Sequence, residues 1–70
     1  MALEKVNYLK EVLELKGVKQ NWLAQQLSVT DNTVSNWCNN KAQPSLQVLK
    51  QIASLLAIDI MYLLKPFDKP

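Results

Sequence analysis

The spacing of its apolar residues constrains the fold of this chain more than any other feature. Leucine, valine and isoleucine recur every three or four positions along most of the sequence, and no long stretch alternates apolar with polar residues. A repeat near 3.6 residues places apolar side chains on one face of an α-helix, whereas a half-buried strand needs a repeat of two. The pattern therefore predicts an all-α fold class, with short helices packed around one core.

Breaks in this pattern divide the chain into about five short helices. The first carries the apolar residues Leu3, Val6, Leu9, Val12 and Leu13 and ends at Gly17, which suits the left-handed turn after a helix. The second is predicted over 19–27, the third from a Thr30 cap to about 39, the fourth from a Ser45 cap, and the fifth from an Asp59 cap to about 64. The inner stripe of the fourth is predicted to be Leu49, Ile52, Ala53 and Leu56.

Composition narrows the class of protein. A chain of 70 residues with a net charge of +2 makes one small domain, 1–70, that tolerates nucleic acid as a partner without a strongly basic surface. The absence of histidine, together with the single cysteine Cys38, excludes an internal disulfide and a zinc cluster. The mixed charges near the N-terminus match neither a signal peptide nor a membrane span, so a cytoplasmic location is expected. No pattern typical of an enzyme, a cofactor site or a small-molecule substrate is present.

Residues 27–40 place four asparagines on or beside the third helix. Asn32 and Asn36 lie one helical turn apart, on the face opposite Val34 and Trp37. Asparagine is a poor helix former, so amides at exposed positions cost stability. An amide presents a donor and an acceptor together, as adenine does in the major groove. The row therefore predicts a base-reading face, with an ordinary polar surface as the alternative.

The second and third helices, joined by a tight turn at 27–30, match the helix-turn-helix arrangement, with a core at about 19–39. The residues that carry a wider likeness are Gln20, Ala24, Leu27, Val29, Val34, Trp37, Pro44 and Ser45. On these residues the chain resembles the phage repressor and Cro-like (XRE) helix-turn-helix family along nearly its whole length. The resemblance implies a lambda-repressor-like DNA-binding domain whose partner is double-stranded DNA.

The resemblance also implies which side chains contact DNA. The side chains placed against base edges are Asp31, Asn32, Thr33 and Asn36. Those placed against phosphates are Lys19, Gln20, Asn39, Asn40 and Lys41. Asp31 has a second reading, because an acid at a helix N-terminus also favours the helix dipole.

The chain departs from the family pattern at several positions. Ser28 and Asn40 stand where glycine is usual, so a positive φ at Ser28 would strain the backbone. Lys19, Asn21 and Trp22 replace a serine cap and early acids of the second helix, and Cys38 replaces a common glutamate.

Lys19 and Cys38 each have two interpretations. A lysine caps a helix poorly and opposes its dipole, so Lys19 is explained either by a bound phosphate or as a solvated residue in a frayed turn. Trp37 is predicted to be core. Cys38 is predicted to be a small, partly buried filler, with a redox switch as the alternative.

These features predict a sequence-specific DNA-binding transcriptional regulator, a repressor that binds a palindromic operator as a homodimer. The residues of the candidate dimer surface are Ile60, Met61, Leu64, Pro66 and Phe67, which could instead close the core. The alternative function is a protein-interaction module of the same fold, such as an antitoxin or a regulatory partner.

Overall fold

The computed structural model of the protein describes residues 6–64. Within this range it contains five α-helices and no strand, which confirms the all-α prediction. The helices are α1 (Leu9–Lys16), α2 (Gln20–Leu27), α3 (Asp31–Cys38), α4 (Leu46–Leu56) and α5 (Met61–Leu64). None of these described helices is both long enough and apolar enough to cross a bilayer.

All five helices contribute to one buried cluster. Its members are Leu9, Val12, Leu13, Leu23, Ala24, Val34, Trp37, Cys38, Leu49, Ile52, Ala53, Leu56 and Leu63. The predicted inner stripe of α4 is buried in full, and Trp37 is only 7% exposed, so both core predictions are confirmed. These side chains recur at helical spacing because each short helix buries one face in the core. Removing that apolar surface from water stabilises the fold.

Three helices begin at the caps that the sequence predicts. Thr30 Oγ1 accepts from the Thr33 amide at 3.1 Å, and Ser45 Oγ accepts from the Val48 amide at 3.2 Å. At α5, Asp59 Oδ1 accepts from the Met61 amide at 3.0 Å. Each bond satisfies an amide that has no partner inside its own helix.

The predicted start of α1 is wrong among the described residues. The helix begins at Leu9, and Val6 is 49% exposed, whereas the apolar spacing placed Val6 on the inner face. Leu3 lies outside the described residues. The reason lies in Asn7, whose Oδ1 accepts from the Leu9 amide at 3.0 Å and thereby fixes the beginning of the helix. The Tyr8 amide donates to the Leu63 carbonyl at 2.8 Å, which joins this start to α5.

Four residues with positive φ terminate helices or turn the chain. Gly17 has φ 67°, whereas Ser28, Asn40 and Ala57 adopt φ values of 57°, 57° and 56° without being glycine. The positive φ considered for Ser28 is therefore confirmed, and its backbone cost is real. The turn is held by the Val29 amide, which donates to the Ala24 carbonyl at 3.0 Å.

Candidate nucleic-acid interface

The two helices of the candidate interface pack directly against each other. Leu23 and Ala24 of α2 are buried, as is Val34 of α3. The small Ala24 side chain permits a close helix crossing. The left-handed Ser28 turn then sets the direction in which α3 leaves α2. A buried inner face on both helices leaves their outer faces as the available surface.

The four residues predicted to face bases all lie on α3, with Asn32 and Asn36 on the side opposite its buried residues. Asp31 and Asn32 are exposed in the first turn, and Thr33 and Asn36 are half-buried. The Thr33 hydroxyl lies 2.8 Å from the Thr30 hydroxyl, so it takes part in the cap of the helix. On the opposite face Val34, Trp37 and Cys38 are buried. The structure thus separates the polar and apolar residues of α3 as the sequence predicts.

The N-terminus of α2 is built differently from those of α3 and α4. Lys19 occupies the N-cap with an extended backbone, φ −85° and ψ 149°, and the first turn of α2 contains no acidic residue. An ammonium group has only donors, so Lys19 cannot accept from the first amides of the helix. Amides and an ammonium at one helix end together favour an anion.

The third part of the candidate interface is the loop that follows α3. The Asn36 carbonyl accepts from the Lys41 amide at 2.9 Å and from the Ala42 amide at 3.3 Å, which folds the loop back onto the helix. Lys41 and Asn39 are exposed. The Asn39 side-chain amide donates to Ser35 Oγ at 3.5 Å, a long bond that a ligand could replace.

Asn40 differs from the other residues predicted to contact phosphate, because its side chain is engaged inside the fold. Its Oδ1 accepts from the amides of Val6 at 2.8 Å and Asn7 at 2.9 Å, and its Nδ2 donates to the Asn7 carbonyl at 3.2 Å. The structure therefore gives Asn40 an internal role that the sequence interpretation did not include.

Two further residues join Asn40 in a polar cluster that the sequence interpretation missed. Asn7 is 2% exposed, and its Nδ2 donates to the Trp37 carbonyl at 3.0 Å and to Gln43 Oε1 at 2.6 Å. Gln43 Nε2 donates in turn to Asn40 Oδ1 at 3.3 Å. Asn7 precedes Tyr8, the N-cap of α1. An asparagine just before an apolar run could have indicated a helix start near Leu9, but not a partner of the loop.

The charges of the chain are unevenly distributed around this site. Between positions 19 and 50 there are three lysines, Lys19, Lys41 and Lys50, and one acid, Asp31, so this segment has a net charge of 3 − 1 = +2. The whole chain also has a net charge of +2, and its remaining lysines and acids balance. The excess positive charge of this segment comes from Lys41 and Lys50, which follow the helix-turn-helix core, because Lys19 and Asp31 cancel within 19–39.

Cys38 is buried against the candidate interface from the inside. Burial raises the pKa of its thiol from 9.0 to about 11, and Lys10 and Glu14 act on it in opposite directions. The thiol is therefore protonated at neutral pH. A buried, protonated thiol reacts slowly, which favours the filler interpretation over the redox switch. Among the described residues, no cluster of three or more potential ligands could hold a metal ion.

Comparison with known proteins agrees with this geometry. The family model for Helix-turn-helix proteins matches residues 9–63. A search of the curated proteins finds no match. Among solved structures, the chain is similar to one described as "Crystal structure of a putative DNA-binding protein from Bacteroides fragilis", with a TM-score of 0.84 and 43% identity over 86% of this chain and 97% of that chain. Because the family model spans most of the sequence, the chain belongs to the helix-turn-helix family.

Proposed function

We propose that the protein is a sequence-specific DNA-binding transcriptional regulator that inserts α3 into the major groove. The observation that carries the proposal is the row of amide side chains on the outer face of α3, opposite its buried face. Amides at these positions lower helix propensity, and reading base edges explains why they stand there. The similar protein from Bacteroides fragilis, described as a "putative DNA-binding protein", supports the same function.

The two groups of residues have different tasks in this proposal. Asn32 and Asn36 read base edges, with adenine as the preferred partner, and the Thr33 methyl contacts a thymine methyl. The negative charge of Asp31 interacts favourably with the N-terminus of α3. Its carboxylate can also accept a hydrogen bond from the amino group of cytosine. Lys19, Gln20, Asn39 and Lys41 contact phosphates and hold the protein in register. Asn40 is left out of this contact set because its donors are engaged inside the fold: Nδ2 donates to the Asn7 carbonyl and the backbone amide donates to the Trp37 carbonyl.

A homodimer that occupies a palindromic operator follows from the shortness of α3. One helix of eight residues reaches few base pairs, whereas two copies related by a dyad read two half-sites about one turn apart. Repression by occlusion is the simplest outcome of such binding.

The surface proposed for the dimer lies beside α1 and α5. Leu15 is 70% exposed, and Met61, Tyr62 and Leu64 are also exposed, next to a shallow depression of about 390 Å³ between the two helices. Ile60 is partly buried against the core, so it serves to close the core. Pro66 and Phe67 lie outside the described residues. Leu15→Glu should shift the sedimenting species from dimer to monomer. Gln51→Glu, at an exposed position of α4, is the control because it changes the net charge by the same −1.

Selection from random duplex DNA tests the proposed function most directly. A regulator of this kind should enrich a two-fold symmetric site with adenines opposite α3. Gln20→Ala and Lys41→Ala should then weaken binding to every duplex by similar factors. Lys41→Ala should also reduce the slope of log K against log salt by about one, since each phosphate contact releases about one counterion.

Lys50→Ala provides the matched control, because it removes an exposed lysine from α4. A salt slope of Lys41→Ala equal to those of Lys50→Ala and the parent would contradict the assignment of Lys41 to a phosphate. Undiminished binding of Gln20→Ala to random duplex would contradict the assignment of Gln20. If no duplex is enriched and binding to a protein partner proves insensitive to salt, the interaction module becomes the better proposal.

A further inference from the structure

The side chains of Asn7, Asn40 and Gln43 form one connected hydrogen-bonded cluster. It ties the segment before α1 to the loop after α3, two regions that are more than 30 residues apart in sequence. Its bonds are complementary in both directions, because each amide both donates and accepts. We propose that this cluster is a positioning device for DNA recognition, a role that rests on the proposed function of α3.

The orientation of each amide is fixed by its partners. If the Asn40 amide were turned over, its Nδ2 would face the amides of Val6 and Asn7, which are donors themselves. If Asn7 were turned over, its oxygen would face the carbonyl of Trp37 and the oxygen of Gln43. Neither alternative allows the observed bonds. The side-chain amides of the cluster therefore have only one orientation that satisfies these hydrogen bonds. A cluster with one orientation can hold the loop after α3 in one position.

The cluster lies where a change in geometry would reach the DNA contacts. Asn40 follows Asn39 and precedes Lys41, two residues proposed to contact phosphates. The carbonyl of Trp37, bound by Asn7, belongs to the last turn of α3. Asn36 is both a proposed base-reading residue and the acceptor of the Lys41 amide. The cluster thus fixes the loop and the end of α3 together, so that base and phosphate contacts keep one register.

The identity of residue 40 indicates that this role uses the side chain. Asn40 has φ 57°, a conformation that glycine adopts at lower cost. Glycine would provide the turn without the three bonds that Asn40 Oδ1 accepts. Asparagine at this position therefore costs backbone energy relative to glycine, and its side chain links the loop to the segment before α1.

The test uses two neutral substitutions that remove parts of the cluster. Asn40→Gly removes the side-chain bonds and relieves the backbone, and Gln43→Ala removes an exposed partner of the buried Asn7. Ile52→Val is the matched control, since it lowers stability in the α4 core without touching the cluster. All proteins are assayed well below their melting temperatures on the selected duplex and on random duplex, over a series of salt concentrations.

In both cluster variants the ratio of affinity for the selected duplex to affinity for random duplex should fall about tenfold. Misaligned side chains would bind the correct bases less well, whereas the charges that bind any duplex remain. Amide hydrogen exchange at Lys41 and Ala42 should accelerate in the same variants, and Ile52→Val should change neither measurement. Variants that keep the parent's ratio, on a parent that selects a site, would overturn this proposal alone. A parent that prefers no duplex would overturn the proposed function and this proposal with it.

Discussion

The two faces of α3 show how differently a short helix can use adjacent residues. The inner face holds Val34, Trp37 and Cys38, whose burial contributes to the stability of the core. The outer face holds the exposed Asn32 and the half-buried Asn36, which both lower helix propensity. The comparison teaches that stability and recognition are assigned to opposite sides of eight residues. Substitutions on the outer face should therefore change DNA binding and leave stability nearly unchanged, whereas substitutions on the inner face should act through stability.

The largest effect is expected on the inner face, from Trp37→Ala. Removing a buried indole should lower the free energy of unfolding by about 3 to 5 kcal/mol, through lost burial and the cavity left behind. Because a chain of this size has little stability in reserve, the variant should be largely unfolded at 37 °C. Thermal unfolding followed by circular dichroism measures the change. A melting temperature equal to that of the parent would remove Trp37 from the core and end the comparison.

The outer face should respond in the opposite manner. Asn32→Ala and Asn36→Ala should each weaken binding to the selected duplex by about 1 to 3 kcal/mol and leave random-duplex binding almost unchanged. At the exposed Asn32 position, alanine should raise the melting temperature slightly. Titrations of both duplexes, together with a melting curve, give the three quantities.

Gln51→Ala is the control for these amides, because it removes an exposed amide from α4. It should affect neither duplex. If the Asn32 and Asn36 variants bind the selected site as tightly as the parent, the outer face of α3 is not the reading surface.

Cys38, on the inner face of α3, should make the stability of the protein depend on pH. The folded state retains the thiol proton up to about pH 11, whereas an unfolded chain releases it near the ordinary pKa of 9.0. The unfolded state therefore binds fewer protons between these values, and stability should fall as pH rises through this window, by on the order of 1 to 2 kcal/mol. Denaturant unfolding of the parent and of Cys38→Ala at pH 8 to 11 isolates the contribution of the thiol to this pH dependence. Parallel pH profiles would show that the thiol is exposed to solvent in the folded protein.

A small gain of stability is expected at the N-terminus of α2, where the proposed recognition surface extends beyond α3. Lys19→Ser provides a hydroxyl acceptor for the first amides and removes a charge that opposes the dipole, so it should stabilise the fold by roughly 1 kcal/mol. It should also weaken binding to all duplexes, as should Lys19→Ala, which removes the charge without providing a cap. Melting and binding curves of the two variants separate these causes. A loss of stability in Lys19→Ser would favour a structural role for the lysine.

Most of the fold follows from local signals in the sequence. The caps at Thr30, Ser45 and Asp59 and the apolar stripe of α4 act within a few residues, so they can be recognised without knowledge of the tertiary structure. The start of α1 could not be predicted in this way. Val6 continues the apolar spacing, yet it lies outside the helix because Asn7 is held by Trp37 of α3 and by Gln43 of the loop that follows.

In the candidate site, too, local features could be predicted from the sequence and contacts between distant residues could not. The exposure of Asn32 follows from the helical repeat once Val34 and Trp37 are taken as inner residues. Asp31 lies three residues before Val34, and it is exposed as the first residue of α3. The internal role of Asn40 does not, because its partners Val6 and Asn7 are distant in sequence. A single sequence contains no local signal for such a pairing. The DNA contacts themselves stay predictions, to be decided by binding.

The hydrogen bond between the Tyr8 amide and the Leu63 carbonyl has a consequence for protein engineering. It brings the two ends of the described helices side by side at 2.8 Å. A short flexible linker could therefore connect these ends, and new termini could be opened at the exposed Gly17 turn between α1 and α2. Such a circular permutant would keep the order of helices in space while changing their order in the chain, and α2 and α3 would then be the first elements to leave the ribosome.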